Sequence, residues 1–454
     1  MITTSYKEFE NFSNENQFQS LDQFLKIYEQ QKNDSHFNVE EIPFKKLDQW
    51  RFDVRMDQKF KQTNWSLYHE SGKFFRIDGV RVKTNYNNIQ EWTQPIINQP
   101  EIGILGIITK IFNNTRYYLM QLKMEPGNIN ILQLSPTVQA TKSNFSQVHK
   151  GKSVLFLEYF INKSKSKILI DQLQSEQGGR FLRKRNRNMI VEISDDIQIP
   201  ENFFWLTLSD IKELLRIDNF VNMDARSVIA TIPLPISFAY PIHADEEIIR
   251  WYVDQKVKYE LETERIPISE LDTWRIDSYK IFNIINPQRY FSVIALKIEM
   301  GNREISSWTQ PMIKDLNYGC VGLIVKNFKG VAHYLFQTKV MPGNIDIIDL
   351  SPTVSISNSF MAIQEEAQPI FVKYFTNLSK KSNINVIYSN IQSEEGGRFY
   401  HFQNRNMIVE IPENEELDIL DNYMWITYNQ MAQFIPRGMF NIESRSLIAA
   451  INFI

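Results

Sequence analysis

Apolar runs separated by polar turns predict several strands in the first half of the chain. Residues 103–110 and 117–123 are rich in β-branched and aromatic side chains. They flank Asn113-Asn114, a dipeptide typical of a tight hairpin turn, so a β-hairpin is expected here. Residues 186–193 form another apolar run of strand length.

Helical spacing of apolar residues follows these strands. Residues 206–215 predict a helix with Ser209 as its N-cap, and residues 224–230 predict a second, short one. Amphipathic helices are also expected at the beginning of each half, near 21–30 and 246–258. Each half thus combines a sheet with covering helices, which indicates an α+β fold with mixed sheets.

This pattern of predicted strands and helices occurs twice in the sequence. Residues 127–138 recur at 343–354 with nine of twelve positions identical, and residues 186–193 recur unchanged at 404–411. Such a period predicts an internal duplication. A proline-punctuated stretch at 233–241 separates the copies, since proline interrupts both helices and central strands. We therefore expect two similar domains, residues 1–240 and 241–454.

Composition narrows the functional class. The 454 residues carry 50 Lys and Arg against 53 Asp and Glu, which excludes a strongly basic nucleic-acid-binding protein. Cys320 is the single cysteine, so no intrachain disulfide forms and a reducing compartment is expected. No apolar run reaches the length of a membrane helix, and the first residues do not resemble a signal peptide. The sequence predicts a soluble cytoplasmic protein with no nucleic-acid or membrane partner.

The repeated block Gln-Ser-Glu-x-Gly-Gly-Arg-Phe, at 174–181 and 392–399, is the strongest candidate for chemistry. Paired glycines let a backbone approach a ligand, and a neighbouring arginine can clamp a phosphate or carboxylate. Glu176 and Glu394 could orient Arg180 and Arg398 or act as general bases. A bulged strand with a structural Glu–Arg pair is the alternative.

Other repeated polar and aromatic residues are weaker candidates for binding a nucleotide or a sugar. Short polar side chains could bond a ligand or their own backbone, a tryptophan could stack on a base or fill a core, and an arginine could cap a strand. The candidates of these three kinds are Asn128, Ser135, Thr137, Asn344, Ser351, Thr353, Trp92, Trp308, Arg187 and Arg405.

The two copies of the repeat differ in one segment that could matter for catalysis. The basic segment at 182–185 is replaced at 400–403 by one that contains Tyr400 and His401, two groups able to move protons if their environment tunes them. A structural role for the histidine is the alternative. The asymmetry suggests that one half carries chemistry. Walker A, Rossmann, G-x-S-x-G and HExxH motifs are absent from the sequence, so a reaction without metal or cofactor is expected.

The duplicated blocks, the two Trp-Thr-Gln-Pro segments at 92–95 and 308–311, and the total length resemble the NDP-hexose 2,3-dehydratases of deoxysugar biosynthesis. The resemblance covers nearly the whole chain from about residue 20. It implies tandem Nudix-like α/β/α modules without the metal-binding Nudix box. It also implies a homodimer that binds a dTDP-linked 4-keto-6-deoxyhexose and supplies its product to a 3-ketoreductase.

The reaction implied by this resemblance begins with removal of the C3 proton, which the C4 ketone acidifies, and continues with loss of the C2 hydroxyl. We expect the second half to hold the chemistry. Tyr400 or His401 would be the acid/base, Glu394 a second candidate, and Arg398 a clamp on pyrophosphate or enolate. A degenerate Nudix pyrophosphohydrolase and a non-catalytic nucleotide-sugar-binding protein are the alternatives.

Overall fold

A computed structural model describes residues 20–56, 62–86, 90–141, 154–234, 240–301, 306–315, 319–356, 370–376 and 383–451. The helices among the described residues of the first half are α1 Leu21–Asp34, α2 Glu158–Ile161, α3 Leu208–Leu214 and α4 Met223–Ile229. Its strands in the described residues are β1 Phe37–Ile42, β2 Trp50–Met56, β3 Gln62–His69, β4 Arg76–Thr84, β5 Glu91–Asn98, β6 Gly103–Phe112, β7 Thr115–Met124, β8 Leu132–Ser135, β9 Val138–Ala140, β10 Lys167–Ser175, β11 Arg185–Glu192 and β12 Phe203–Thr207.

The second half repeats this order. Its described helices are α5 Asp245–Lys258, α6 Tyr428–Phe434 and α7 Ile442–Ala450. Its described strands are β13 Leu261–Ile266, β14 Trp274–Ile276, β15 Lys280–Asn283, β16 Ser292–Met300, β17 Ser307–Lys314, β18 Cys320–Phe328, β19 Val331–Lys339, β20 Asp349–Ser351, β21 Val354–Ile356, β22 Asn385–Ser393, β23 Phe399–Tyr400, β24 Gln403–Ile411 and β25 Tyr423–Thr427. Short 3₁₀ turns lie at Phe44–Lys46, Ile268–Glu270, Val372–Tyr374 and Ile435–Arg437.

Each half has one large sheet. In the first, the order is β10-β11-β6-β7-β12, with β8 on β7 and β9 on β6. In the second, β22-β24-β18-β19 is extended by β20 and β25 on β19 and by β21 on β18. The pairs β6–β11 and β18–β24 are parallel and their neighbours are antiparallel, so both large sheets are mixed.

The two smaller sheets exchange strands between the halves. Strand β1 pairs with β16 of the second half, and β13 pairs with β4 of the first. One small sheet is therefore β13-β4-β3-β2 with β5 on β4, and the other is β14-β15-β16-β17-β23 with β1 on β16. Neither half therefore builds its small sheet from its own strands alone. The domain limits at residue 240 stay a prediction about the duplication.

Among the hydrophobic cores of the described residues, two contain buried side chains from both halves. The larger core joins both halves through the helices, with Phe24, Phe220, Phe336 and Phe440 among its fully buried side chains. An aromatic core between the small sheets contains Trp50, Phe75, Phe181, Trp274, Phe291 and Phe399. No described helix is both long enough and apolar enough to cross a bilayer.

Several predicted elements are confirmed. Asn113 and Asn114 both have positive φ, 45° and 63°, as the hairpin between β6 and β7 requires. The predicted N-cap of α3 is wrong. Thr207 accepts from the Asp210 amide at 3.1 Å while Asp210 accepts from the Thr207 amide at 2.9 Å, a reciprocal capping box that starts the helix before Ser209.

Candidate active site

The Gln-Ser-Glu-x-Gly-Gly-Arg-Phe blocks end in two compact turns. We call residues 176–181 turn 1 and residues 394–399 turn 2. In turn 1 the amides of Arg180 and Phe181 both donate to the Gln177 carbonyl, at 3.0 and 2.8 Å. Turn 2 has the same bonds to the Glu395 carbonyl, at 3.2 and 3.0 Å. The repeated sequence therefore builds the same backbone twice.

Each turn docks on a glycine of the opposite half. The Gly127 amide donates to the Gly396 carbonyl and the Gly343 amide donates to the Gly178 carbonyl, both at 2.7 Å. A Cβ at Gly127 would overlap the Phe399 carbonyl, so only glycine allows this approach. Residues around either turn consequently come from both halves.

The Trp-Thr-Gln-Pro segments hold the turns in place. Trp92 Nε1 donates to Gln94 Oε1 at 3.0 Å, and Gln94 Nε2 donates to the Gly179 carbonyl at 3.0 Å. Trp308 and Gln310 make the same bonds to Gly397, each at 2.9 Å. Both tryptophans are half-buried. Their contacts orient a glutamine that fixes a glycine carbonyl.

The short polar candidates are buried and bond the backbone. Asn128 Nδ2 donates to the carbonyls of Lys123 and Ile131, at 3.2 and 3.0 Å, and Asn344 Nδ2 makes the equivalent bonds in the second half. Hydroxyl contacts to backbone carbonyls are made by Ser135, Thr137 and Thr353, while Ser351 is buried without a partner among the described residues. A ligand-binding role for this group stays a prediction.

Arg187 and Arg405 lie apart from the turns. Arg187 makes a two-pronged ion pair with Asp171, at 2.6 and 2.5 Å, on strands β11 and β10. Arg405 is exposed and contacts Ser389 Oγ at 3.4 Å. Neither contact joins these arginines to turn 1 or turn 2.

A pair of fully buried arginines anchors the two turns, although the sequence reasoning gave them no functional role. Arg226 on α4 donates to the Ser393 carbonyl at 2.6 Å, just before turn 2. Arg445 on α7 donates to the Ser175 carbonyl at 2.5 Å, just before turn 1. The two helices cross at these residues, since each arginine Nε also reaches a serine of the opposite helix.

Titratable side chains gather where turn 2 meets the first half. We call this group cluster 1. Its titratable members are Lys123, Glu125, Glu176, Lys184, Asp224, Glu395 and Arg398, and it also includes Gln139, which links Lys123 to Asp224.

Hydrogen bonds link one side of cluster 1 into a chain. Lys123 Nζ lies 3.2 Å from Glu125 Oε1 and donates to Gln139 Oε1 at 2.8 Å, and Gln139 donates in turn to Asp224 on α4. Glu395 Oε1 and Glu125 Oε1 both lie close to the point that a Cβ on Gly397 would occupy, at 3.0 and 3.8 Å. Glu125 Oε2 is buried and has no partner among the described residues.

The electrostatics of cluster 1 favour proton transfer. Burial raises the pKa of Glu176 to about 7, and the charge of Glu395 adds to that increase. Burial also raises the pKa of Glu395 and holds that of Asp224 well above its ordinary value. The pKa of Lys184 is lowered by burial. Carboxyls that titrate near neutrality are suited to general acid–base catalysis.

The repeat places a second group around turn 1, which we call cluster 2. It consists of Lys339, Met341, Ser355, Gln177, Phe402, Glu443, Glu394 and Arg180. Burial raises the pKa of Glu394 to about 7. Met341, Gln177 and Phe402 stand where cluster 1 has Glu125, Glu395 and Lys184, so cluster 2 has fewer groups that can exchange protons.

The two turn arginines also differ in their partners. Each guanidinium stacks on a buried phenylalanine, Arg398 on Phe75 at 4.2 Å and Arg180 on Phe291 at 4.1 Å. Arg180 Nη2 then donates to the carboxylate of Asp315 at 3.2 Å, whereas Arg398 Nη2 donates to the neutral Gln99, also at 3.2 Å. The positive charge of Arg398 is therefore the better placed to meet an anionic ligand.

Tyr400 and His401 follow turn 2 directly in the chain. Their rings stack at 4.1 Å, with the ring of His401 exposed and that of Tyr400 half-buried. Lys314 Nζ lies over the Tyr400 ring and pairs with Glu41. Burial raises the pKa of Tyr400 and lowers that of His401. The charged group that acts on Tyr400 is Glu41 and the one that acts on His401 is Lys314, and neither belongs to cluster 1 or cluster 2.

No three His, Cys, Asp or Glu side chains in the described part of the chain are grouped so as to hold a metal ion. A groove of about 500 Å³ runs along Lys110, Lys165 and Lys167. None of the site residues predicted from the sequence lines it.

Comparison with known proteins identifies the family of the chain. The sequence profile of the NDP-hexose 2,3-dehydratase family matches residues 21–232 and again residues 245–451. The chain belongs to the NDP-hexose 2,3-dehydratase family. The family predicted from the repeated motifs is thus confirmed.

Three similar proteins of this family are each named dTDP-4-dehydro-6-deoxy-α-D-glucopyranose 2,3-dehydratase. The protein from Saccharopolyspora spinosa is 38% identical over 92% of this chain and 88% of its own length. That from Amycolatopsis orientalis is 37% identical over 92% and 87%. That from Streptomyces violaceoruber is 35% identical over 91% and 93%.

For this member of the NDP-hexose 2,3-dehydratase family, sequence reasoning identified both turns but missed most of cluster 1. The sequence signal that could have identified these residues is the difference between the two copies of the repeat. Glu395 replaces Gln177 in a block that is otherwise identical between the two copies, and Lys184 belongs to the divergent segment that corresponds to the one containing Tyr400 and His401. Lys184 is the buried member of that segment.

Proposed function

We propose that this protein removes the C2 hydroxyl of an NDP-linked 4-keto-6-deoxyglucose and that cluster 1 is its active site. Family membership supports the reaction. One observation supports this position of the active site. Glu395 and Arg398 of turn 2 lie close to a group of buried first-half side chains, which are Glu125, Glu176, Lys184 and Asp224. Cluster 2 has the same backbone with fewer acid–base groups.

The chemistry needs a base, an acid and cations. The C4 ketone acidifies the C3 hydrogen, and its removal places negative charge on O4. The C2 oxygen then leaves as water once it receives a proton. A carboxylate such as Glu395 suits the first step, because burial in an active site tunes its basicity. Lys123, Lys184 and Arg398 supply positive charge for the enolate and the diphosphate.

Tyr400 and His401 are the other proposal for the acid/base. Purified Tyr400→Phe and His401→Ala proteins separate the two ideas when they are assayed beside Glu395→Gln. If Tyr400 or His401 carries the proton, its variant loses turnover by about 100-fold or more, the usual size of general acid–base catalysis. If cluster 1 carries it, Glu395→Gln shows that loss and the other two do not.

The activity itself is tested with dTDP-4-keto-6-deoxyglucose and a 3-ketoreductase, without added metal. Loss of one water from the nucleotide sugar, followed by mass spectrometry, supports the proposal. Release of a sugar phosphate would instead indicate a pyrophosphohydrolase. Binding without any product would indicate a nucleotide-sugar-binding protein.

We also propose that each half has a Nudix-like α/β/α fold, that the chain forms a cytoplasmic homodimer and that a 3-ketoreductase takes its product. Each mixed large sheet packs against helices, as the first of these ideas requires. Superposition of each half on a Nudix domain tests the fold. Sedimentation of the purified protein tests the dimer.

A further inference from the structure

Glu125 lies where the first half contacts turn 2. It stands two residues before Gly127, whose amide donates to the Gly396 carbonyl at 2.7 Å. The Glu125 Cβ is 2.9 Å from the point that a Cβ on Gly396 would occupy, and its Oε1 is 3.8 Å from the equivalent point on Gly397. The residue is only 6% exposed. Glu125 is therefore packed against both glycines of turn 2.

The two carboxylate oxygens of Glu125 differ in their contacts. Oε1 lies 3.2 Å from Lys123 Nζ, which also donates to Gln139 at 2.8 Å. Oε2 is buried and receives no hydrogen bond from the described part of the chain. A buried acceptor without a donor costs about 1–3 kcal/mol, and more when the group is charged. That cost is removed when a bound ligand donates to the oxygen.

The second half shows that the docking of a turn does not need this carboxylate. Met341 is the residue equivalent to Glu125, and its Cβ is 3.0 Å from the point that a Cβ on Gly178 would occupy. The methionine thus packs on turn 1 as the glutamate packs on turn 2. The fold of the repeat therefore does not explain the unpaired oxygen of Glu125.

A nucleotide sugar offers only certain donors to a carboxylate. Its ionised diphosphate oxygens accept hydrogen bonds, whereas sugar hydroxyls and the N–H of a base can donate them. Glu395 Oε1 is 3.0 Å from the same point on Gly397 to which Glu125 Oε1 is close, so one pyranose ring can contact both carboxyls. Because Glu395 is the proposed base for the C3 hydrogen, the donor nearest to Glu125 is a hydroxyl on C2 or C3.

The elimination distinguishes these two hydroxyls. The C2 oxygen must gain a proton as it leaves, so a carboxylate that holds its hydrogen would oppose the reaction. The C3 hydroxyl keeps its hydrogen while the C3–H and C2–O bonds break. We propose that Glu125 Oε2 accepts a hydrogen bond from the C3 hydroxyl and makes the site selective for sugars that carry this group. The inference rests on the proposed function, which supplies the site and the class of sugar.

Isothermal titration calorimetry of the whole protein with unreactive ligands tests this contact. The wild-type protein should bind dTDP-3-deoxyglucose about 10- to 100-fold more weakly than dTDP-glucose, the usual cost of a lost hydrogen bond to a charged group, whereas dTDP-2-deoxyglucose should bind within about 3-fold of dTDP-glucose. Equal affinity for dTDP-glucose and its 3-deoxy analogue would overturn the proposal.

Glu125→Met gives cluster 1 the residue that cluster 2 has. It should weaken binding of dTDP-glucose about 10- to 100-fold but should not weaken binding of dTDP-3-deoxyglucose or dTDP, because neither can donate from C3 to the missing oxygen. Retained affinity for dTDP also shows that the variant is folded. Equal losses for the two sugars would mean that Glu125 only supports the site, and would contradict the proposal.

Met341→Leu is the matched control at the equivalent position of cluster 2. It removes no acceptor and conserves volume, so the affinity for dTDP-glucose should stay within about 3-fold of the wild-type value. A loss as large as that of Glu125→Met would count against a specific contact at Glu125.

The contact and the reaction fail separately. A protein that dehydrates the 4-keto sugar but binds dTDP-glucose and its 3-deoxy analogue equally keeps the proposed function and loses the contact. A protein that distinguishes the two sugars through Glu125 but releases no water keeps the contact and loses the proposed function.

Discussion

Cluster 1 and cluster 2 share a backbone but differ in chemistry. Both turns close on a glycine of the opposite half, and both begin beside a buried arginine from the crossing helices α4 and α7. Yet cluster 1 holds Glu125, Glu395 and Lys184 where cluster 2 holds Met341, Gln177 and Phe402. The repeat therefore supplies the same turns and arginines to both clusters, and the residues that differ give cluster 1 its additional acid–base groups.

The largest expected effect is a loss of stability when the glycines that contact the two turns are replaced. Gly127→Ala and Gly343→Ala each push a Cβ into a backbone carbonyl of the opposite turn, where no flexible side chain can move aside. Each should lower the free energy of unfolding by at least about 3 kcal/mol, and by similar amounts. Urea denaturation measures both. Strongly unequal losses would show that the turns are not structurally equivalent.

The next effect concerns the turn arginines. Arg398→Met should raise KM for the nucleotide sugar about 10- to 100-fold, the usual cost of a lost charged hydrogen bond. Arg180→Met is the matched control, and its effect should be smaller because Asp315 already neutralises Arg180. Steady-state kinetics gives both values. Equal increases in KM would mean that the two arginines contribute equally to binding of the nucleotide sugar.

A third test removes a cation from cluster 1. The charge of Lys184 lowers the pKa of Glu176 and Glu395. Lys184→Met should therefore raise those pKa values and move the acidic limb of the kcat/KM profile to higher pH, by about one unit. Phe402→Met changes the equivalent position without changing charge and should leave the limb in place. A limb that stays fixed in both variants would separate Lys184 from the chemistry.

The smallest effect is on the pH dependence of stability. The pKa of Glu176 and of Glu394 is raised by burial from 4.5 to about 7 in the folded protein. Between these values the folded state holds protons that the unfolded state has released, so the stability of the wild-type protein falls as pH rises through this window.

Glu176→Gln and Glu394→Gln should each flatten that fall, as followed by melting temperature from pH 4.5 to 7. A steeper dependence in either variant would contradict the raised pKa.

Sequence reasoning was reliable where local chemistry decides structure. The Asn113-Asn114 turn, the helices α1, α3, α4 and α5, and the duplication follow from short patterns. The exchange of β1 and β13 does not, because it depends on pairing between distant segments such as Ile42 and Ala295. The site was located only in part for a related reason. Glu176 and Arg398 stand in visible motifs, but their meeting with residues of the opposite half is a property of the folded chain.

The exchanged strands also bear on how such a protein diversifies. If β1 and β13 were swapped between two identical chains, every substitution would appear at both sites at once. Covalent fusion of the copies removes that coupling. One copy can then hold carboxyls and an ammonium group where its twin has methionine, glutamine and phenylalanine, and the interlocked sheets prevent the specialised partners from separating.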